Sequence, residues 1–416
     1  MGNLRKKFVT AAVVLAFLLI FVGCGNNDSP DLIIPVTESQ PIPETENISP
    51  QTQPNSADDN NAETPTNTIP SPYPPLSLNP QTHMQTIAAG AMYSLVITDD
   101  GILWSWGWGA DGRLGDGGTA DRHVPAPVLD DATSVAVNWL GAIASNLVIR
   151  TDNSLWTWGG QARTPQWLKD DVIAFSNSFM IIKSDNSLWG TGGNIPSYAV
   201  TENINMQNPV WIMDDVVAVS DLGTITFALQ SCGSLWAWGE NTLGGLGDGT
   251  RENRDAPVLI MSDVASVFAG VGSVMVIRTD GSLWGWGFNH RGSVGDGTTI
   301  QRIAPVWIMD NVVAVSSCFS TEAATMAIRS DGSLWAWGGN DSGNLGDGTT
   351  VDRHSPVWIM DNVVAVSQGG GHAMAVQSDG SLWAWGLNNR GQLGDGTAIN
   401  RHNPVRVKEN IMIPNN

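Results

Sequence analysis

VVAVSQGGGHAMAVQSDGSLWAWGLNNRGQLGDGTAINRHNPVRV, from Val363 to Val407, decides how the rest of the chain is read. Val363 to Ser367 and Ala373 to Gln377 are runs of small and β-branched residues bounded by glycine, the composition of short buried strands. Ser378-Asp379-Gly380 then forms a hairpin turn that needs positive φ at Gly380. From Ser381 to Trp385 the pattern has period two, so Trp383 and Trp385 share one face while Leu382 and Ala384 share the other. Both faces are apolar, and the strand is therefore expected to be covered on both sides.

The same unit recurs along the chain. Leu-Trp pairs stand at Leu103-Trp104, Leu155-Trp156, Leu188-Trp189, Leu235-Trp236, Leu283-Trp284, Leu334-Trp335 and Leu382-Trp383. That makes seven units with a mean spacing of about 46 residues, and units of this size holding three or four short strands are the signature of propeller blades. No helical periodicity follows residue 82. Radial packing explains the two apolar faces, because each blade lies between two neighbours and paired Trp side chains fill the wedge that widens toward the rim. The Trp-x-Trp pair is degraded in the third unit, where Trp189 is followed by Gly190 and Thr191. The expectation is an all-β, seven-bladed β-propeller over residues 83–416, with repeats at about 84–132, 133–170, 171–214, 215–262, 263–310, 311–361 and 362–409. Pro404 to Val407 has no eighth unit to meet and is expected to pair beside the first unit near Thr86 to Ala89, removing two open edges.

The first 82 residues have a different composition. All 19 Trp lie at or beyond Trp104, whereas more than half of the 22 Pro lie between Pro30 and Pro80. Arg5, Lys6 and Lys7 precede an apolar run from Phe8 to Val22, the layout of a signal peptide rather than a membrane span. The run ends in Phe21-Val22-Gly23-Cys24, which resembles the lipobox of bacterial lipoproteins and implies lipid attachment at Cys24, with 1–23 removed. Residues 24–82 are rich in Pro, Asn and Thr, poor in large apolar side chains and without Lys or Arg. They cannot bury enough surface to offset the entropy of ordering, so a disordered, lipid-anchored linker is expected, with the propeller outside the cytoplasm and membrane contact through the anchor alone.

Gly-Asp-Gly recurs with a fixed partner. Asp116, Asp248, Asp296, Asp347 and Asp395 are each followed six residues later by Arg122, Arg254, Arg302, Arg353 and Arg401. The spacing predicts structural loop pairs, each Asp accepting hydrogen bonds from loop amides and some also pairing with their Arg, closing the long loop onto its blade. One carboxylate per loop is too few oxygen ligands for calcium, and no cysteine spacing suggests zinc, so no metal and no cofactor are expected. With only three Cys in the chain, Cys232 and Cys318 fall two repeats apart and are expected to be free thiols. His123, His354 and His402 follow the recurring Arg and are expected to pack the loops.

The formal net charge of −20 disfavours nucleic acid. No nucleophile elbow, zinc-protease helix or phosphate loop is present, and Gly107-x-Gly109-x-x-Gly112 opens onto a loop rather than a helix. No catalytic residue is assigned, and the chain is expected not to be an enzyme.

DGSLWAWGxNxxGQLGDGT resembles the repeat of the regulator of chromosome condensation family, and the resemblance covers residues 84–407. It implies a seven-bladed propeller that binds proteins through loops on one rim. The family's founder is a guanine nucleotide exchange factor acting on chromatin, and its secreted bacterial branch includes a β-lactamase inhibitor protein. Neither activity transfers residue by residue to this sequence. The second unit drops the Gly-Asp-Gly loop and the third replaces it with Asn194 to Gln207, so one sector of the rim should be notched. Variable loop positions nominate Trp108, Asp111, Tyr198, Phe288, His290, Arg291, Asn389 and Arg390 as partner-binding residues. The leading expectation is a monomeric, surface-tethered propeller that binds an extracellular or envelope protein. A carbohydrate or cell-wall binder is the alternative, with exchange-factor-like activity and glycan hydrolysis behind it.

Overall fold

The computed structural model describes residues 85–138, 145–176, 180–190, 195–196, 208–270, 273–317 and 323–412; Cys24, Tyr198, Cys318 and the segment before residue 85 lie outside them. Seven four-stranded antiparallel sheets follow one another, each built from four consecutive strands: Ile87–Leu129, Ala132–Lys169, Ala174–Met213, Val216–Met261, Val264–Met309, Val312–Met360 and Val363–Lys408. The first strand of each sheet lines a common axis with small side chains such as Ala88, Ala136, Ala218 and Ala269, around a cavity of about 170 Å³. The chain folds as the seven-bladed β-propeller its repeats predict, and the Val363–Lys408 blade shows why. Leu382 and Ala384 on one face and Trp385 on the other are fully buried, and the turn before them holds Gly380 at φ 77°.

The two Trp of each pair are not equivalent. Trp106, Trp158, Trp238, Trp286, Trp337 and Trp385 are fully buried, whereas the first Trp of each pair is only half-buried. The first Trp stands beside the hairpin turn and uses its N–H there, as in Trp104 to Thr98 Oγ1 (3.0 Å) and Trp335 to Ser333 Oγ (2.9 Å). That Ser in turn donates to the turn carboxylate, Asp331. In the fourth blade Cys232 replaces the turn Asp, and Trp236 bonds Gln230 Oε1 at 2.9 Å instead. Cys232 is not the free thiol expected: it is disulfide-bonded.

The recurring loop and the second Trp form one device shared between neighbouring blades. Trp337 of blade 6 donates its indole N–H to the Ser293 carbonyl in the blade 5 loop at 2.9 Å. Trp158, Trp286, Trp385 and Trp106 do the same to Arg113, Gly245, Asn344 and Gln392 of the preceding blade. The first glycine of Gly-Asp-Gly makes room for that ring: a Cβ on Gly295 would lie 2.6 Å from the Trp337 indole nitrogen. The second glycine reaches further along, with Gly297 N–H donating to the His354 carbonyl of blade 6 and Gly348 to His402 of blade 7 (2.9 Å each). Each loop thus closes onto the following blade as well as its own, which corrects the expectation of a purely local loop.

Ring closure also differs from expectation. Arg401–Lys408 is the outermost strand of its own blade, paired with Leu382–Gly386, and is not free to pair near Thr86 to Ala89. Every blade is complete in sequence order, so the last one cannot lend its outer strand. The next residues make the seam instead. Ile411 bridges Thr98, Met412 N–H donates to the Ile97 carbonyl at 3.1 Å, and Ile411 N–H donates to Gly380 at 3.1 Å. Val264 and Val312 make the same bond to Gly233 and Gly281 where the next blade begins. Asn410 and Ile411 therefore imitate the start of an eighth blade, completing the short inner strand of the first.

Candidate functional site

The strand directions sort the connections onto two ends of the propeller. One end, the turn face, carries the tight hairpins and the links between blades; the other, the loop face, carries the Gly-Asp-Gly loops. All five Asp–Arg pairs of those loops are made, at 2.7 Å for Asp116–Arg122, Asp248–Arg254 and Asp347–Arg353, 2.6 Å for Asp296–Arg302 and 2.8 Å for Asp395–Arg401. Asp347 also accepts from Thr349 N–H and Asn340 Nδ2. Burial pushes the Asp248, Asp296, Asp347 and Asp395 carboxyls up, but the hydrogen bonds from the loop Thr and Arg outweigh it, and all four end below the usual carboxylate range. These charges are turned toward one another and hold the loops rigid.

Two clusters on the loop face take up the nominated residues. At the junction of blades 7 and 1, the Arg113 guanidinium lies 3.7 Å from the Trp108 ring centroid and also pairs with Asp111 at 3.0 Å. Arg390 approaches the same ring at 5.7 Å and reaches Asp121 at 3.3 Å, and Asn389 is exposed beside it. Trp108 is thus half-buried and stacked, a seam residue as much as a surface one. At blades 5 and 6, Arg291 is engaged by Asp341 (2.7 Å) and Asp352 (2.6 Å), whose hydrogen bonds raise its pKa further. Phe288 remains exposed, its ring 4.8 Å from that of exposed His290.

Phe288 also forms one wall of an apolar cleft of about 250 Å³ between blades 4 and 5. Leu243, exposed at 60%, forms the other wall, with Ile225 and Val274 behind. Among the described residues Glu240 is the sole ionisable group lining the cleft, held by Thr224 (3.1 Å) and Thr242 (3.0 Å). Leu243 and Glu240 were missed from sequence, although Leu243 takes the loop position where sister repeats carry Asp111, Arg291 and Arg390. Trp167, Trp211, Trp307 and Trp358, exposed on the outer strands, were missed as well. Their signal was the repeated Pro-x-Trp that ends the long loops.

These features define a seven-bladed repeat propeller with rigid, cross-locked loops on one face. The chain belongs to the RCC1-like domain family, which it matches over residues 58–414. It is similar to the ultraviolet-B receptor UVR8 of Arabidopsis thaliana, 29% identical over 201 residues that make up 41% of this chain and 44% of the receptor. A 79-residue stretch, 18% of this chain, is 35% identical to 2% of the human E3 ubiquitin-protein ligase HERC2. The chain thus spans less than half the length of these relatives. Among solved structures, Prp20p of Saccharomyces cerevisiae, described with its binding to Gsp1p and histones, superposes with a TM-score of 0.62 at 18% identity, covering 77% of this chain and 88% of that one. Yeast RCC1 (Prp20) bound to Kap60 gives 0.62 at 17% identity, over 79% of this chain and 88% of that one. At such identity the likeness concerns the fold.

Proposed function

We propose that the chain is a non-enzymatic propeller that binds a protein partner through its loop face, outside the cytoplasm and tethered to a membrane by lipid at Cys24. The observation that carries the reading is the cleft between Leu243 and Phe288: two exposed apolar side chains on otherwise hydrogen-bonded loops have the character of an interface anchor. Relatives whose descriptions name protein partners, Gsp1p, histones and Kap60, support the class of ligand and leave its identity open.

The experiment compares wild type with Leu243→Asp and Phe288→Asp in cross-linking capture from a cell-envelope extract, followed by affinity measurement with each purified candidate. A true partner loses at least about tenfold in affinity with either variant. If every captured protein binds both variants as well as wild type, the cleft is not the site. The tether is tested by intact mass under non-reducing conditions, because the Cys24 sulfur can carry a thioether-linked lipid or a disulfide to Cys232, not both. A lipid-sized mass increment lost in Cys24→Ser supports the anchor; an unmodified or disulfide-linked Cys24 removes it.

A further inference from the structure

The outer circumference carries a second feature, independent of the loop face. Trp167, Trp211, Trp307 and Trp358 occupy the same register position on the outer strands of blades 2, 3, 5 and 6, directly opposite Trp156, Trp189, Trp284 and Trp335. They are between 41% and 56% exposed. Single exposed aromatics need no explanation, but one position repeated around the ring does. The fold does not demand Trp there, since blades 4, 7 and 1 use Leu259, Arg406 and Pro127 opposite the matching Trp.

Each of these rings is held in place. The indole N–H donates to an exposed carboxylate three residues on: Trp167 to Asp170 (2.9 Å), Trp211 to Asp214 (2.8 Å), Trp307 to Asp310 (3.0 Å) and Trp358 to Asp361 (3.0 Å). A preoriented ring loses little entropy when a ligand stacks on it. A proline stands two residues before each one (Pro165, Pro209, Pro305, Pro356), removing an edge N–H and disfavouring the addition of a fifth strand. Successive blades of a seven-fold ring turn by about 51°, so the four rings are spread over more than half of a convex rim, too far round for one globular partner to cover. An extended polymer can follow that curve.

Charge narrows the polymer. The Trp belt adjoins the turn face, where acidic residues outnumber basic ones by more than two to one, which repels phosphate-bearing chains. A flat aromatic face beside a carboxylate complements a pyranose ring that bears a cationic amine. We propose that the rim tryptophans bind a linear glycan of amino sugars with free amino groups, one sugar stacking on each ring and its ammonium facing the neighbouring Asp.

The test titrates the purified propeller with soluble glucosamine oligomers, following tryptophan fluorescence and heat, beside N-acetylated oligomers and oligolysine of matched length. The glucosamine chains are expected to bind, the affinity falling with salt, and the acetylated chains to bind at least about tenfold more weakly. Combined Trp307→Ser and Trp358→Ser should cost about tenfold through lost multivalency, while Trp307→Phe with Trp358→Phe keeps part of the affinity and serves as the folding control. Leu243→Asp should leave this binding unchanged, which separates it from the protein site. Equal binding of acetylated chains, an unaffected Trp→Ser variant, or oligolysine binding that depends on the same tryptophans would each overturn the proposal.

Discussion

At the junction of blades 5 and 6, a full loop meets a full Trp pair: Trp337 inserts under Gly295 and donates to Ser293. At the junction of blades 2 and 3, both halves of that arrangement are gone. Blade 2 turns at Gly160 and Gln161 with no Gly-Asp-Gly loop, and blade 3 carries Thr191 where the second Trp would stand. Among the described residues its core holds Leu147, Ile149, Leu155, Val172 and Ile181, with Trp189 packed at the edge. The two losses belong together. Without a loop there is no carbonyl to receive the indole N–H, and a buried indole without an acceptor is costly. At this junction the loop missing from blade 2 is matched by the Trp missing from blade 3, whereas blade 4 keeps a buried Trp238 although the preceding unit also lacks Gly-Asp-Gly.

That comparison can be broken most directly at the tryptophans. Trp337→Ala should cost about 3–5 kcal/mol, as for a large aromatic removed from a packed core, while half-buried Trp189→Ala should cost well under half of that. Denaturant midpoints of the two variants decide it, and equal losses would mean the loop–Trp lock carries no special stability. The junction of blades 7 and 1 belongs with the strong class only if the tail completes it. Truncation after Glu409 removes buried Ile411 and its backbone bonds and should cost about 2–4 kcal/mol. An unchanged unfolding midpoint would refute that seam.

The first and second glycines of the recurring Gly-Asp-Gly, taken from the blade 6 and blade 7 loops, test the steric half of that arrangement. Gly346→Ala places a Cβ 2.7 Å from the Trp385 ring at φ +83°, whereas Gly396, at φ +78°, has nothing within 4 Å. The first substitution should cost about 2–3 kcal/mol and the second about 1 kcal/mol, the strain of positive φ alone. If the two cost the same, steric fit under the Trp is irrelevant.

Near neutral pH the smallest effect is one of protonation at the 7/1 seam, and it grows only as the solution is acidified. His372 is fully buried, with Nε2 2.9 Å from Ser94 Oγ across the 7/1 junction, and burial pushes its pKa down from 6.5 to about 3. Its neutral form is the folded one, so the unfolded chain binds the extra proton between these values. Stability from this group is whole above pH 6.5 and falls as pH drops toward 3, by at most about 1.4 kcal/mol per pH unit. His372→Gln should flatten that part of the stability–pH profile, and an identical profile in the variant would exclude His372 as its source.

Much of this was legible in the residues. Period two at Leu382 to Trp385 and the sevenfold Leu-Trp spacing led directly to blades, because strand alternation and repeat length are local properties. The Asp–Arg spacing gave the loop partners for the same reason, six residues being short enough to fix who can meet. The site was less legible. Arg291 reads as an exposed anchor until Asp341 and Asp352 of the next blade are seen to hold it, and Leu243 reads as one loop residue until Phe288 faces it across a cleft.

The amino-acid order by itself determined the number of modules, the strands in each and the residues that repeat, since those depend on patterns within a single unit. Only the tertiary structure decided which Trp is buried, that each loop serves the following blade, that Ile411 rather than Pro404 to Val407 closes the ring, and that four tryptophans face outward. Those facts depend on contacts between units far apart in the chain, and hydrophobic pattern is silent about which neighbour a surface will meet.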